Sequence, residues 1–145
     1  MIKKIAIWFL CLSVLFGQFS MAEEKFLSLK KSKVNVRYGP SFDSKIKYIY
    51  KKINLPIKQI DQKENFRRIV DLKNNSGWIH ISQVKKSNSI IILEDKILYK
   101  KPSNFSKPIA KLEKGRLLIL KKCENIWCNV KTEDYSGWVK TENIW

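Results

Sequence analysis

Ser76-Gly77-Trp78-Ile79 and Ser136-Gly137-Trp138-Val139 are one pattern, Ser-Gly-Trp-aliphatic, written twice at a spacing of sixty residues. When one half of the chain is laid over the other near this spacing, further pairs match in the same order. They are Pro40-Ser41 with Pro102-Ser103, Leu55-Pro56-Ile57 with Leu117-Leu118-Ile119, Phe66-x-x-Ile69 with Trp127-x-x-Val130, and Val84 with Ile144. The chain is therefore predicted to be a tandem of two small related units.

Each unit alternates apolar and polar residues, as short β-strands do. Val34 and Val36 alternate with polar neighbours up to Gly39-Pro40, where the glycine permits φ > 0 and the proline ends pairing. The run LPIKQID (55–61) alternates and then slips by one residue at Ile60, which indicates a β-bulge.

A hairpin is predicted from FRRIVDL (66–72) and WIHI (78–81), which flank the turn-forming KNNSG (73–77). No segment sustains a helical period of about 3.6 residues. We therefore expect no helix beyond a single turn at 81–83 and at its counterpart 141–143.

In the repeated pattern, the aromatic and the aliphatic side chain must lie on opposite faces of a strand. The glycine is expected to end the hairpin turn, where a backbone without Cβ is needed. One face closes a small core, and the aliphatic Ile79 and Val139 are the stronger candidates for it. Trp78 and Trp138 are then expected to be partly exposed.

Three segments together resemble the bacterial Src-homology-3-like (SH3) domain: VNVRYGPS (34–41), LPIKQI (55–60) and NFRRIVDLKNNSGWIHISQV (65–84). The signature of that family runs N-x-R-x-G-P near the start and G-W-V near the end. The second unit keeps the later part, but Tyr99-Lys100-Lys101 stands where the family has R-x-G. The resemblance implies a five- or six-stranded barrel per unit, without catalysis, that targets a cell wall or a protein partner.

We therefore predict an all-β fold of two tandem SH3-like small β-barrels after a cleaved signal peptide. The predicted boundaries are 1–22 for the signal peptide, 25–86 for the first domain and 90–145 for the second, with a Lys- and Ser-rich connector at 85–89. This arrangement resembles that of short exported bacterial proteins.

The amino terminus has the three parts of a secretory signal peptide. Lys3 and Lys4 precede an apolar run of twelve residues (5–16), and small residues stand before the expected cleavage after Ala22. A membrane anchor is the alternative, but a span needs about 20 apolar residues. The residues before Cys11 lack the small side chain that lipoprotein processing requires. We expect an exported, periplasmic protein without a transmembrane span after cleavage.

The chain is strongly basic, with a formal net charge of +16. The excess lies in the first unit, because residues 25–88 hold sixteen basic and four acidic residues and residues 89–145 hold eleven and seven. An excess of basic residues suggests nucleic acid as a binding partner, but the expected export of the protein argues against it. The composition bias of an AT-rich genome is a second explanation of the lysine content, although it leaves the asymmetry unexplained.

Cys123 and Cys128 are the cysteines that remain after processing. If they face each other across a hairpin, their Cα atoms lie within reach of a disulfide, which is the expected state in an exported chain. Two free thiols or a metal or redox site are the alternatives, but a zinc site needs further ligands and the chain has one histidine.

No catalytic constellation can be assembled from the sequence. His80 alternates with Ile79 and Ile81 as an exposed strand residue does, and it lies in the other unit from the cysteines. The adjacent acids Glu94-Asp95 and Glu133-Asp134 suit turns rather than acid–base pairs. We predict that the protein is not an enzyme and that it uses no cofactor and no metal.

Binding residues are better represented. Aromatic and cationic side chains are interleaved in the first unit, which suits an anionic, partly planar or sugar-like ligand. Burial of Phe66 and of some tyrosines in the core is the alternative. The predicted binding residues are Arg37, Tyr38, Pro40, Phe42, Arg68 and Trp78.

These observations predict a periplasmic binding module of the cell envelope that recognises peptidoglycan or another anionic envelope component through its first unit. An adaptor for an envelope protein partner is the alternative. The sequence makes no prediction of the oligomeric state.

Overall fold

The structure, a computed structural model, describes residues 25–145. The predicted signal peptide, 1–22, lies outside the described residues. Within 25–145 the chain forms thirteen β-strands and no α-helix. The strands of the first unit are β1 (Lys25–Leu29), β2 (Val34–Arg37), β3 (Ile46–Tyr50), β4 (Pro56–Lys63), β5 (Phe66–Val70), β6 (Ser76–His80) and β7 (Val84–Lys86). Those of the second are β8 (Ser89–Ile91), β9 (Lys96–Tyr99), β10 (Pro108–Leu112), β11 (Leu117–Glu124), β12 (Trp127–Lys131) and β13 (Ser136–Lys140).

The strands form two antiparallel sheets, one for each unit. The first sheet has the order β3-β2-β6-β5-β4-β1-β7, and the second has the order β10-β9-β13-β12-β11-β8. Six strands therefore occur in the same spatial order in both units, and the predicted all-β tandem is confirmed. The place of β7 in the second unit is taken by a single bridge between Ile92 and Ile144. Both hydrogen-bonded orders are open, with β3 and β7 at the edges of the first sheet.

The predicted bulge occurs at Ile60, where the register of β4 against β5 shifts between Gln59 and Asp61. The second unit repeats it, since β11 shifts against β12 between Leu120 and Lys122. The bulges also fix the true match between the units. Ile57 corresponds to Leu118, because both are fully buried and pair with the first strand of their own unit. The alignment of Leu55-Pro56-Ile57 with Leu117-Leu118-Ile119 is therefore wrong by one residue.

The glycine of the repeated pattern has a different role from the one predicted. Gly77 and Gly137 lie within β6 and β13, and the left-handed residue of the first hairpin turn is Asn74 (φ 62°). A Cβ atom on Gly77 would lie 3.0 Å from the carbonyl oxygen of Arg37, and one on Gly137 would lie 2.6 Å from that of Tyr99. Glycine is needed because a backbone carbonyl of the neighbouring strand, β2 or β9, lies so close to the glycine that it leaves no room for a side chain.

The inward side chains of each sheet form a separate apolar core. Ile79 and Val139 are fully buried, as predicted. The first core contains Leu27, Leu29, Val34, Val36, Ile57, Ile69 and Ile79. The second contains Ile90, Ile92, Leu98, Leu112, Leu118, Cys128, Val130 and Val139.

The helical turn expected at 81–83 is present as a 3-10 turn, Ile81–Gln83, in which the Ser82 amide donates to Nδ1 of His80 at 3.2 Å. The counterpart at 141–143 forms a bend without helical hydrogen bonds. The bridge of Ile144 to Ile92 and the hydrogen bond from the Leu93 amide to the carbonyl of Asn143, which has a left-handed φ of 52°, hold that bend in place instead.

The two units meet directly, and the predicted connector is largely ordered strand. Lys85 and Lys86 belong to β7 and pair with β1. The buried hydroxyls of Ser28 and Ser89 lie 2.7 Å apart, and the Ser89 hydroxyl also donates to the Asn54 carbonyl. The rings of Phe26 and Trp145 pack edge to face at 5.4 Å. The junction is therefore a packed contact between β1 of the first unit and both β8 and the terminal Trp145 of the second.

Candidate functional site

The candidate site lies on the outer face of β2, β6 and β5 in the first unit. Successive side chains of a strand alternate between faces, so burial of Ile79 and Ile69 inside turns their neighbours outward. Paired positions then bring the outward side chains side by side. Arg37 faces Trp78, Trp78 faces Arg68, and His80 faces Phe66 across the ladder.

Arg37 is held in place by the loop that follows it. Its Nη1 donates to the carbonyls of Phe42 at 3.1 Å and Ser44 at 2.9 Å. Its guanidinium carbon lies 5.7 Å from the centre of the Phe42 ring, within the range of a cation–π contact. A guanidinium carries five N–H donors, so the groups on Nη2 and Nε are left for a ligand. Arg37 is a fixed, positively charged fork.

Three rings form a cluster next to this fork. Phe42 lies 5.2 Å from Phe66 and 4.9 Å from His80, and Phe66 and His80 are 5.2 Å apart. Phe66 is buried, but by these outer rings rather than by the core. Phe42 remains 63 % exposed. The cluster therefore presents one open ring face on a buried aromatic base.

A groove of about 450 Å³ runs beside the fork and the cluster. We call it the arginine groove; it is lined by Lys33, Asn35, Arg37, Phe42, Ile46, Ile49, His80 and Gln83. Its polar groups are cations and neutral hydrogen-bonding side chains, and none of its lining residues is acidic. The groove can accept an anionic group at Arg37 and stack a planar or sugar ring on Phe42.

A second, smaller hollow lies on the other side of Arg37. It is lined by Arg37, Tyr38, Lys47, Arg68, Ser76, Gly77 and Trp78. Tyr38 is 66 % exposed, and its ring lies 5.6 Å from the Lys47 ammonium, which also donates to the Ser76 carbonyl at 2.9 Å. Trp78 is partly exposed, as expected. This hollow extends the cationic and aromatic surface along the sheet.

The structure brings five of the six predicted binding residues together. Arg37 lines both hollows, Phe42 lines the first, and Tyr38, Arg68 and Trp78 line the second. Pro40 lines neither. His80 was missed because it resembled an ordinary exposed strand residue, although its two-residue spacing from Trp78 already placed both on one face.

Tyr48 and Tyr50 do not belong to this surface. They pack against the first core, and their hydroxyls are 3.3 Å apart. The Tyr50 hydroxyl donates to the Asp71 carboxylate at 2.9 Å. Burial, together with the hydrogen bonds to Tyr48 and Asp71, raises the pKa of Tyr50 well above its ordinary value.

Asp71 in turn orders the hairpin turn between β5 and β6. Its Oδ1 accepts from the amides of Lys73 and Asn75, both at 2.9 Å. These tyrosines therefore support the fold behind the site.

The second unit carries different side chains in the equivalent positions. Tyr99 faces Trp138 where Arg37 faces Trp78. The corresponding hollow is lined by Glu94, Asp95, Lys96, Ile97, Tyr99, Asn104, Lys140 and Glu142. Its Glu94 pairs with Lys96 at 3.1 Å and Asp95 pairs with Lys111 at 3.0 Å. The guanidinium fork and the open phenylalanine are both missing there.

Trp138 is 8 % exposed, so the expectation that it would be partly exposed is wrong. Lys122 reaches across from β11, and its ammonium lies 5.4 Å from the centre of the Trp138 ring. Lys140 lies in the same way 5.8 Å from the Trp127 ring, and Tyr99 packs edge to face on that ring at 5.6 Å. The outer aromatic face of the second unit is therefore covered.

The second unit also contains the predicted disulfide. Cys123 and Cys128 are direct partners on β11 and β12, with a Cα–Cα distance of 4.0 Å. Cys123 is exposed, whereas Cys128 belongs to the second core. The bridge thus closes the hairpin tip and ties it to the core.

Residues 25–145 contain no cluster of three or more histidine, cysteine or acidic residues that could hold a metal. Over the same range, no helix is long and apolar enough to cross a membrane.

The match to a known protein family agrees with this architecture. The family model of the bacterial SH3 domain matches residues 30–86 and again 95–145. No curated protein matches the chain. Among solved structures, NlpC2 from Trichomonas vaginalis matches 84 % of this chain with a TM-score of 0.39 and 10 % identity. NlpC1 from the same organism matches 86 % with a TM-score of 0.38 and 10 % identity. The chain spans about half the length of these structures, 48 % and 46 %.

Proposed function

We propose that this chain, which belongs to the bacterial SH3 domain family, is an exported, non-catalytic module that binds the cell envelope in the periplasm. The family is one of binding modules that often recognise cell-wall components. The ligand we propose is peptidoglycan or another anionic envelope component, bound by the first unit.

The arginine groove is the observation that carries this proposal. Arg37 is fixed by two backbone carbonyls and still has donors to offer, and the open Phe42 ring lies beside it. Peptidoglycan combines carboxylates with sugar rings, which suit a guanidinium fork and an exposed aromatic face. The surplus of basic residues in the first unit would raise the local concentration of such a ligand.

Co-sedimentation of the mature protein with purified sacculi tests the proposal. The wild-type protein should sediment at low salt and be released as the salt concentration rises. Arg37→Gln should weaken binding by about ten- to a hundredfold, since a charge-assisted contact contributes about 1.5–3 kcal/mol. Arg116→Gln is the matched control, because it removes the same charge from an exposed position in the second unit.

Arg37→Lys separates geometry from charge. It keeps the positive charge and loses the planar fork, so we expect binding between that of wild type and that of Arg37→Gln. A thermal melt of each variant shows whether the loop that Arg37 holds is still folded. Equal binding by Arg37→Gln and Arg116→Gln, or a wild-type protein that stays in the supernatant at low salt, would refute wall binding through this groove.

A protein partner is the second candidate, and a groove at the junction of the units favours it. This groove of about 740 Å³ is lined in part by the apolar side chains of Ile49, Leu55, Leu72 and Ile91. An envelope protein bound there should co-purify at stoichiometric yield and resist salt, in contrast to wall binding.

A further inference from the structure

The hairpin formed by β9 and β10 ends in a loop that exposes a complete aromatic side chain. Phe105, at the tip of this loop, is 100 % exposed, the highest value among the exposed large apolar residues that the structure describes. Burial of a phenylalanine contributes about 1.5–3 kcal/mol, and this free energy is left for a partner that covers the ring. A side chain in this position is available to a partner.

The loop is held by its own hydrogen bonds, so the ring is presented on a defined support. The amide of Lys100 donates to the Lys107 carbonyl at 2.9 Å and closes the base of the loop. The hydroxyl of Ser106 accepts from the Lys101 amide at 2.8 Å, and that of Ser103 accepts from the Phe105 amide at 3.2 Å.

The charged side chains of the loop itself are all positive, although Glu142 lies with Asn104 in the hollow beside it. Lys100, Lys101 and Lys107 are exposed on the loop, and no ion pair among the described residues uses them. The whole hairpin, residues 96–112, contains five lysines and no acidic residue. The nearby acids Glu94 and Asp95 are paired with lysines at its base.

The first unit shows the contrasting arrangement at the same place. There the phenylalanine stands one position earlier, as Phe42, and it folds down onto Phe66 and His80. The acidic Asp43 occupies the position that corresponds to Phe105. In the second unit the exposed Asn104 stands in the place of Phe42 and lines the hollow, and the ring moves to the tip.

We propose that this loop, residues 100–107, is a membrane-surface anchor that inserts Phe105 into the interface of a bilayer rich in anionic lipid. An aromatic ring between lysines suits that surface, because the ring enters the boundary of the acyl chains while the ammonium groups meet the lipid phosphates. The charge complementarity favours lipid over an apolar protein groove, which would have to leave three cations at its rim. The proposal is independent of wall binding by the first unit.

Co-sedimentation of the mature protein with lipid vesicles tests the anchor. The protein should bind vesicles that contain phosphatidylglycerol and should bind pure phosphatidylcholine vesicles much more weakly. Phe105→Ser should weaken binding about tenfold. Each of the substitutions Lys100→Gln, Lys101→Gln and Lys107→Gln should weaken it about fivefold, with the effect reduced at high salt.

Ile126→Ser is the matched control, because it removes an exposed apolar side chain, 59 % accessible, from the tip of another hairpin in the same unit. Its binding to vesicles should equal that of wild type, and circular dichroism should show all variants folded. Absence of binding to anionic vesicles at low salt would overturn the proposal, as would wild-type binding by Phe105→Ser. Because the assay contains no wall material, a failure of wall binding would leave its result unchanged, and Phe105→Ser separates binding by the loop from binding by the basic surface of the first unit.

Discussion

The two units share six strands in the same spatial order, two bulges and one Gly-Trp step, yet their outer faces expose different side chains. The first unit opens a groove with Arg37 and Phe42 on its outer face. The second covers the same face with Lys122, Lys140 and Tyr99. The inward residues, which decide folding, are alike, whereas the outward residues diverge. The scaffold therefore constrains only one side of each strand.

Replacement of the repeated tryptophan should give the largest difference in stability between the two units. Trp138→Ala should cost about 3–5 kcal/mol, the usual range for a buried tryptophan, because Trp138 lies beneath Lys122. Trp78→Ala should cost less, since its ring is partly exposed, and should weaken binding to sacculi more than it weakens folding. Urea denaturation measures both costs. Equal costs would show that the two faces are packed alike.

The repeated glycine gives the next largest effect. Gly137→Ala should cost about 3 kcal/mol, because its new Cβ would lie 2.6 Å from a backbone carbonyl that the strand pairing holds. Gly77→Ala should cost less, since the closest obstacle is the Val36 side chain and the Arg37 carbonyl is 3.0 Å away. Denaturation midpoints of the two variants check this order. If both alanines were tolerated, the close approach of the strands would be wrong.

Reduction of the disulfide should affect one unit. Closure of so short a loop contributes about 2 kcal/mol in the chain-entropy model. The equivalent partners in the first unit are Gln62 and Arg67, which face each other across β4 and β5 without a bond between them. Hydrogen exchange after reduction should therefore quicken in β11 and β12 and stay unchanged in β4 and β5. Loss of protection in both hairpins would show that the units unfold together.

Alkaline pH should give the smallest effect, and it should arise in the first unit. Because the folded-state pKa of Tyr50 is raised, its contribution to stability is complete below pH about 10 and is lost as the pH rises further. The limiting slope for one tyrosine is about 1.4 kcal/mol per pH unit. Since Tyr50 is only partly buried, we expect the free energy of unfolding to fall with about half of this limiting slope.

Tyr50→Phe provides the control for this effect. It should lose the hydrogen bond to Asp71 at neutral pH, at a cost of about 1 kcal/mol, and should show a shallower alkaline slope than wild type. Denaturant melts between neutral pH and pH about 11 measure the two slopes. Identical slopes would mean that Tyr50 does not couple stability to pH.

The sequence predicted what depends on local alternation. Ile79 and Val139 face inward, the slip at Ile60 is a bulge, and Cys123 meets Cys128 on one hairpin, all within reach of neighbouring residues. The sequence did not predict that Lys122 covers Trp138, because the contact depends on register across separate strands. For the same reason the role of Gly77 was missed, since the strand that crosses it lies about forty residues earlier.

The candidate site shows the same division. Arg37, Phe42 and Trp78 were identified from residue type and signature, and alternation placed Trp78 on an outer face. The cluster of Phe42 with Phe66 and His80 joins residues that are far apart in the chain, so a local sequence pattern does not predict it. Pro40 belonged to the signature and yet lies outside both hollows.

The hydroxyl contact between Ser28 and Ser89 has a consequence for how the molecule spans distance. Only Ser87 and Asn88 separate β7 from β8, so neither unit can swivel without breaking that contact. A ligand bound by the first unit and a bilayer bound by the second would then be held at a fixed distance and a fixed orientation to each other. The molecule would act as a rigid spacer between them, and a flexible insert after Ser87 would let the two units move independently.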